Sequence, residues 1–313
     1  MSEPMRAVAM GVHVLDVLVR PVEEIPEGQS GKLVEQIKIT AAGSAGGTAL
    51  TLAKLNAETR SAGAIGTDAV GEMLVALLER GGVDTSLIVR RDDVQTSASV
   101  LTIRPTGERP AFHVVGANGT YGPADVDWEA LDGTTHLHLG GPEFMGGEAA
   151  AEILSRARAE GIVTSADVLA PGDPGLLEWI APALPELDYL LPNDEQVLGF
   201  ADTDDLEVAC RALLKRGVEC VVATRGAGGA LVVDADRAEA ASAFDVEVID
   251  TTGCGDAFSA GFVRALALGH ERRAAAELGC ATAALVAGGL GSDHGDFDLA
   301  AAEALVADGS RLG

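Results

Sequence analysis

The chain has 313 residues, 47% of them hydrophobic, enough to bury a sizeable core in one large α/β domain or in two modest ones. Acids outnumber bases 48 to 22, and the resulting formal charge of −26 disfavours binding to nucleic acid or to anionic membranes. No apolar run approaches the ~18 residues of a membrane span, and the first residues lack the apolar segment of a secretory signal, so a cytoplasmic protein is expected.

Residues 7–12 read as a buried first strand, with His13 at its end and Asp16 just beyond. Residues 17–40 hold Pro21, Pro26 and Gly28 between short β-like runs; no long helix fits, and edge strands outside a main sheet are predicted. The small-residue turn at 41–47 opens a helix predicted over 48–56. A strand at 60–65 and a helix at 70–80 follow. Residues 83–116 turn β-rich again, with strands predicted at 86–89, 97–103 and 111–115 and a hairpin turn at Thr106-Gly107. The two β-rich islands predict a small sheet apart from the core.

From residue 127 onward strands and helices alternate. Strands are predicted at 136–139, 163–167, 189–191 and 220–224, and helices at 148–160 and 206–216. Near-continuous apolar strands between helices imply a parallel sheet covered on both faces. Phe244, Val246 and Val248 alternate with Asp245 and Glu247, which predicts a strand leading into Asp250-Thr251-Thr252-Gly253-Cys254-Gly255-Asp256. The helix after it carries Phe258, Phe262 and Leu266 on one stripe and stops near Gly269. Helices over 271–287 and 299–307 close the chain, separated by the loop 288–295.

The 250–256 turn carries the chemistry. Gly253 and Gly255 open backbone conformations closed to other residues and let a ligand approach. The first amides of the next helix lack intrahelical partners and sit at the positive end of its dipole, so the turn is an anion site. A carboxylate, Asp256, stands beside it. The dipole alone favours an acid there; the chemistry that needs both is proton removal from a hydroxyl attacking a phosphoryl group. Cys254 has no base placed to activate it and reads as a small residue, not a nucleophile. The four cysteines show no CxxC spacing, which argues against structural zinc. His136 and His138 share a strand face without a third ligand, so core or pocket histidines are expected.

Four motifs in order give the chain a resemblance to the ribokinase-like (pfkB) carbohydrate kinases. They are Gly43-Ser44-Ala45-Gly46-Gly47-Thr48-Ala49, Asn193-Asp194-Glu195-Gln196, Thr224-Arg225-Gly226-Ala227-Gly228-Gly229, and the 250–256 stretch with Ala257-Phe258. The resemblance implies one domain over 1–313: a doubly wound, mostly parallel sheet sandwiched by helices, with a small β lid from about 17–40 and 83–116. It implies ATP-dependent phosphorylation of a hydroxyl on a small sugar of ribose or fructose type, with Mg2+. Asp256 would be the general base, and the amides of Gly253, Cys254, Gly255 and Asp256 would hold the phosphoryl group. Asp16 would bond sugar hydroxyls, and Gly43 would admit the sugar to the backbone. Gly47 stands where the family usually has a substrate-contacting asparagine, and Ala42 replaces a common glycine.

The same resemblance has Asn193 organise Mg2+ and the triphosphate. The family's glutamate three residues on is Gln196 here, with Glu195 beside it. Thr224, Gly226 and Gly229 would line the phosphates and ribose, and 279–283 the adenine. Asp250 and Thr252, with carbonyls of 288–292, match positions that bind a monovalent cation, usually K+; an Asp/Thr pair satisfying its own turn is the equal alternative. Lids pair between subunits in several relatives, so a homodimer is expected. Two other acceptors stay open. A nucleoside kinase would need an apolar pocket, with Phe112, His113 and Tyr121 as candidates. A sugar-phosphate kinase would aim Arg104 or Arg109 at the second phosphate, although solvent-facing placement is expected for both. A non-catalytic sugar-binding relative is favoured by Gly47 and Gln196 and opposed by Asp256 and its turn.

Overall fold

A computed structural model describes residues 5–106 and 108–312. The hairpin turn predicted at Thr106-Gly107 falls partly outside the described residues. In chain order the strands are β1 (Arg6–Gly11), β2 (Val14–Arg20), β3 (Gln36–Ala42), β4 (Glu58–Gly66), β5 (Asp84–Arg91), β6 (Ala98–Thr102), β7 (Ala111–Val114), β8 (His136–Gly140), β9 (Val163–Asp167), β10 (Tyr189–Leu190), β11 (Cys220–Thr224), β12 (Ala230–Val233) and β13 (Ala238–Ala241). The helices are α1 (Ser44–Lys54), α2 (Ala69–Arg80), α3 (Gly147–Ala159), α4 (Pro174–Ile180), α5 (Asp194–Ala201), α6 (Leu206–Leu214), α7 (Cys254–Ala267), α8 (Arg272–Ala287) and α9 (Leu299–Asp308).

A nine-stranded sheet runs in the order β13-β12-β11-β10-β9-β8-β1-β4-β5. It is parallel from β11 to β5, and β12 and β13 add an antiparallel end. Its central strands are apolar because helices cover both faces: Val8, Met10, Leu137 and Leu139 have no exposed surface. One face packs on Ile153, Leu177, Val197 and Leu213 from α3 to α6. The other packs on Phe258, Phe262 and Ala276 from α7 and α8. Phe262 meets the Tyr189 ring edge-on, 5.2 Å between centroids. α7 and α8 approach closely because a Cβ on Gly261 would stand 2.9 Å from Gly279 Cα. That packing fixes where α7 begins, and with it the anion-binding turn.

A second sheet, β3-β2-β6-β7, forms the small lid. Two expectations need correction. The strand predicted at 86–89 lies in β5, on the edge of the large sheet, because Leu87 and Val89 pack on the main core. The stretch 244–249 is not a strand. Only Phe244 makes a bridge, to Arg311, and the N–H groups of Ile249 and Asp250 both go to the Ala287 carbonyl. Its alternation instead turns Phe244, Val246 and Val248 into a cavity. The helix predicted from 48 starts at Ser44, so the glycine-rich motif is itself helical. No helix of the described residues is long and apolar enough to cross a membrane.

Candidate active site

α7 starts behind Gly253, whose φ of 78° is left-handed and whose missing Cβ leaves room for Ser292, 2.6 Å from the Cβ position to its Cα. Another residue there would be strained. The first bond along the helix runs from Ala257 N–H to the Gly253 carbonyl at 2.8 Å, so the N–H groups ahead of it lack intrahelical partners. A Cβ on Gly255 would meet nothing within 4 Å. That open space above a helix N-terminus suits an anion.

Asp256, Asp16 and Asp167 converge beside the turn. Burial, then the charges of Asp167 and Asp16, hold the Asp256 carboxyl well above the usual carboxylate range. Asp16, on β2, is pushed up to about 6, chiefly by burial, against a hydrogen bond from Ser99. Asp167 ends β9; its Oδ1 accepts from Ser44 Oγ and lies 3.6 Å from His138 Nε2. A carboxylate with a raised pKa is the stronger base once ionised. Gly47 of α1 faces this carboxylate: a Cβ at 47 would collide with Oδ2 and stand 2.8 Å from Cγ of Asp256. A side chain at 47 would therefore require the Asp256 carboxylate to shift. Gly43 has a similarly internal explanation: its Cβ would stand 2.7 Å from the Val12 carbonyl oxygen.

The nucleotide-side residues assemble at the ends of β10 and β11. Asn193 and Thr224 form a parallel bridge, and Asn193 caps α5 by accepting from Gln196 N–H at 2.8 Å. Gln196 is buried and donates its amide to the Val168 and Ala170 carbonyls at 2.9 and 3.0 Å. A glutamate lacks those donors, which explains the glutamine. Asn193 and Glu195 remain exposed on this turn as oxygen donors that suit a hydrated Mg2+. An apolar cavity of about 240 Å³ opens between this loop and the α7 turn, lined by Thr224, Gly226, Gly229, Val246, Gly255 and Ala283. Cys254 lies at its edge; burial pushes the thiol up to about 12, which agrees with a non-nucleophilic role.

Asp250 and Thr252 come together as a pair that satisfies its own turn. Asp250 Oδ1 accepts from Thr252 N–H at 3.0 Å and from its Oγ1 at 2.8 Å, and Oδ2 accepts from Gly291 N–H at 2.9 Å. Arg109 Nη1 donates to Thr252 Oγ1 at 2.8 Å and lies 3.7 Å from Asp250 Oδ1. The carboxylate is surrounded by the chain's own donors. Arg109 is exposed, as expected, while its guanidinium reaches this pair. Arg104 also faces solvent, beside Glu108 and the Glu23 carbonyl.

Sequence reasoning missed Asp167 and Asn118. Asn118 bonds both the N–H and the carbonyl of His13, at 3.1 and 2.9 Å, and so fixes the turn that delivers Asp16. Asp167 had a readable signal, an acid closing an apolar parallel strand at the end where ligands bind. The candidate nucleoside pocket is not assembled: Phe112 is exposed on the lid, Tyr121 is buried in the main core, and His113 bonds Ser99. Among the described residues no His/Cys/Asp/Glu group could hold a metal ion, and His138 bonds Ser165 instead.

The family model for pfkB family carbohydrate kinases matches residues 8–296. An ATP-dependent ribose-1-phosphate kinase of Halopiger xanaduensis is 28% identical over 287 residues, 92% of this chain and 93% of that protein. A ribokinase of Staphylococcus aureus is 26% identical over 278 residues, 83% of this chain and 86% of that one. A solved ribokinase structure from Thermotoga maritima superposes with a TM-score of 0.81 at 23% identity, covering 97% of this chain and 100% of that chain.

Proposed function

This chain belongs to the pfkB family of carbohydrate kinases, and on that premise we propose that it transfers the γ-phosphoryl group of ATP to a hydroxyl of a small sugar. The observation that carries the reading is Asp256, a carboxylate of raised pKa in the first turn of α7, beside amides that lack intrahelical partners. In this account Asp16 and Asp167 accept hydrogen bonds from the sugar and turn one hydroxyl toward Asp256. Asp256 removes its proton as the O–P bond forms. The amides of Gly253, Cys254, Gly255 and Asp256 hold the transferring group, with the helix dipole behind them. The apolar cavity takes the base, and Thr224, Gly226 and Gly229 line the phosphates and ribose. Asn193 and Glu195 are the residues for Mg2+, which neutralises phosphate charge when bound. Asp256→Asn lowers kcat by about 10²–10⁴-fold, measured as ADP formation over a panel of sugars; unchanged turnover would sink the base assignment.

A second reading takes as acceptor a sugar that already carries a phosphate. Arg109 favours it, since it brings a guanidinium from the lid to the α7 turn, and one relative is named a ribose-1-phosphate kinase. Arg109→Ala should cost about 10- to 100-fold in kcat/KM on sugar monophosphates, the scale of a hydrogen bond to a charged group, and far less on free sugars. Equal losses on both would remove this reading.

We also propose a homodimer through the lid. Ile37, Ile39, Val100 and Phe112 are 62%, 41%, 40% and 62% exposed. Ile39, Val100 and Phe112 lie across adjacent strands with Val17, on one outer face. Two copies of such a face can cover each other about a twofold axis. A cytoplasmic location belongs to the same account, supported by four free cysteines.

A further inference from the structure

Behind the 250–256 turn, two lysines from different elements converge on the loop 288–295. Lys38, on β3, donates to the Leu290 carbonyl at 2.6 Å, and its Nζ lies 2.5 Å from Asp293 Oδ1. Lys54, in the last turn of α1, donates to the carbonyls of Asp293, His294 and Gly295 at 2.8, 2.8 and 2.7 Å. An ammonium has three N–H donors, so these three carbonyls use all of them. The Phe297 ring lies 4.8 Å from the same nitrogen. The arrangement is that of a small monovalent cation ringed by oxygen dipoles, with the cation attached to the chain.

The loop so held is coupled to the reaction turn. Gly291 N–H bonds Asp250 Oδ2 at 2.9 Å, and Ser292 packs where Gly253 lacks a Cβ. Leu290 is buried against Leu18 and Ile103 at the root of the lid. The positions of Asp250, Gly253 and the first amides of α7 therefore depend on how the carbonyls of 290–295 are neutralised. Positive charge stabilises an oxygen-lined loop beside carboxylates.

Resting on the kinase reading above, we propose that Lys38 and Lys54 supply this loop with the positive charge an alkali-metal ion would otherwise provide, so that turnover needs no added K+. Both are positioning residues: neither touches the reacting atoms, and each acts through the loop on the α7 turn. Arg109, on the far side of Asp250, completes the set of attached cations.

The test uses the full chain in tetramethylammonium chloride, with K+ titrated in at constant ionic strength so that general screening cancels. ADP formation and the melting midpoint are both read. The wild type should respond to K+ in neither. Lys54→Met and Lys38→Met should each lower kcat by about tenfold or more, the scale of losing one fixed charge-stabilising group. In each, K+ should restore activity and raise the midpoint, because an oxygen site has been opened to it. A wild type activated or stabilised by K+ overturns the inference, as does a folded variant that K+ does not rescue. A wild type that turns over no acceptor, yet melts indifferently to K+, refutes the kinase reading and leaves the attached-cation assignment standing.

Discussion

In the nine-stranded sheet the central strands lie under helices on both faces and are apolar. The four-stranded lid does the reverse. Asp16, Thr40 and Ser99 lie across adjacent strands on its inner face and are buried, while Ile39, Val100 and Phe112 lie outward and are exposed. A sheet with one face in water, as this mixed one has, would ordinarily place its apolar face inward and its polar face outward. The difference assigns two jobs. The large sheet stores the stability and fixes α7. The lid offers hydrogen-bonding groups to something polar on one side and an apolar surface to something apolar on the other.

That division predicts separable losses. The largest lies in the large-sheet layer: Phe262→Ala should destabilise the fold by about 3–5 kcal/mol in urea unfolding, with the ranking of sugars by kcat/KM unchanged. A changed ranking would show that the two layers are not independent. A smaller effect on stability belongs to the lid. Phe112→Asp should convert a dimer to single chains in sedimentation velocity while the melting midpoint moves little, since the ring is 62% exposed. A wild type that sediments as a single chain would leave the outer face of the lid unexplained and break the comparison on that side.

The architecture was largely legible because the parallel strands are short apolar runs and the helices between them keep their period. Boundaries failed where small residues carry no period. Residues 44–47 are helical although their sequence reads as a turn; α1 packs on α7 through residues without bulk. The 244–249 segment failed for another reason: alternation reports two unlike environments, and here one of them is a cavity instead of a sheet face. In the site, Asp256 stood out from its place beside a glycine turn and a helix start, whereas Asn193 and Thr224 came only from the family resemblance. Asn118, Lys38 and Lys54 were not legible, since each acts on a partner far away in sequence, and the strand-end signal of Asp167 went unread. Gly47 and Gln196 read as departures from a family pattern. The contacts of Gly47 with Asp256, and of Gln196 with Val168 and Ala170, turn both into local packing decisions.

The central claim is that burial, reinforced by the neighbouring carboxylates, makes Asp256 a stronger base, and the pH dependence of kcat/KM tests it most directly. Asp256 must be ionised to accept the proton, so activity should fall as pH drops through its folded-state pKa. Burial, Asp167 and Asp16 all raise that pKa, so the acid limb of the wild type should lie well above the usual carboxylate range. Asp167→Asn keeps the size of the side chain and removes the larger of the two charges, so the limb should move to lower pH. A wild-type limb at the ordinary carboxylate value, or one that stays in place in Asp167→Asn, would contradict the account.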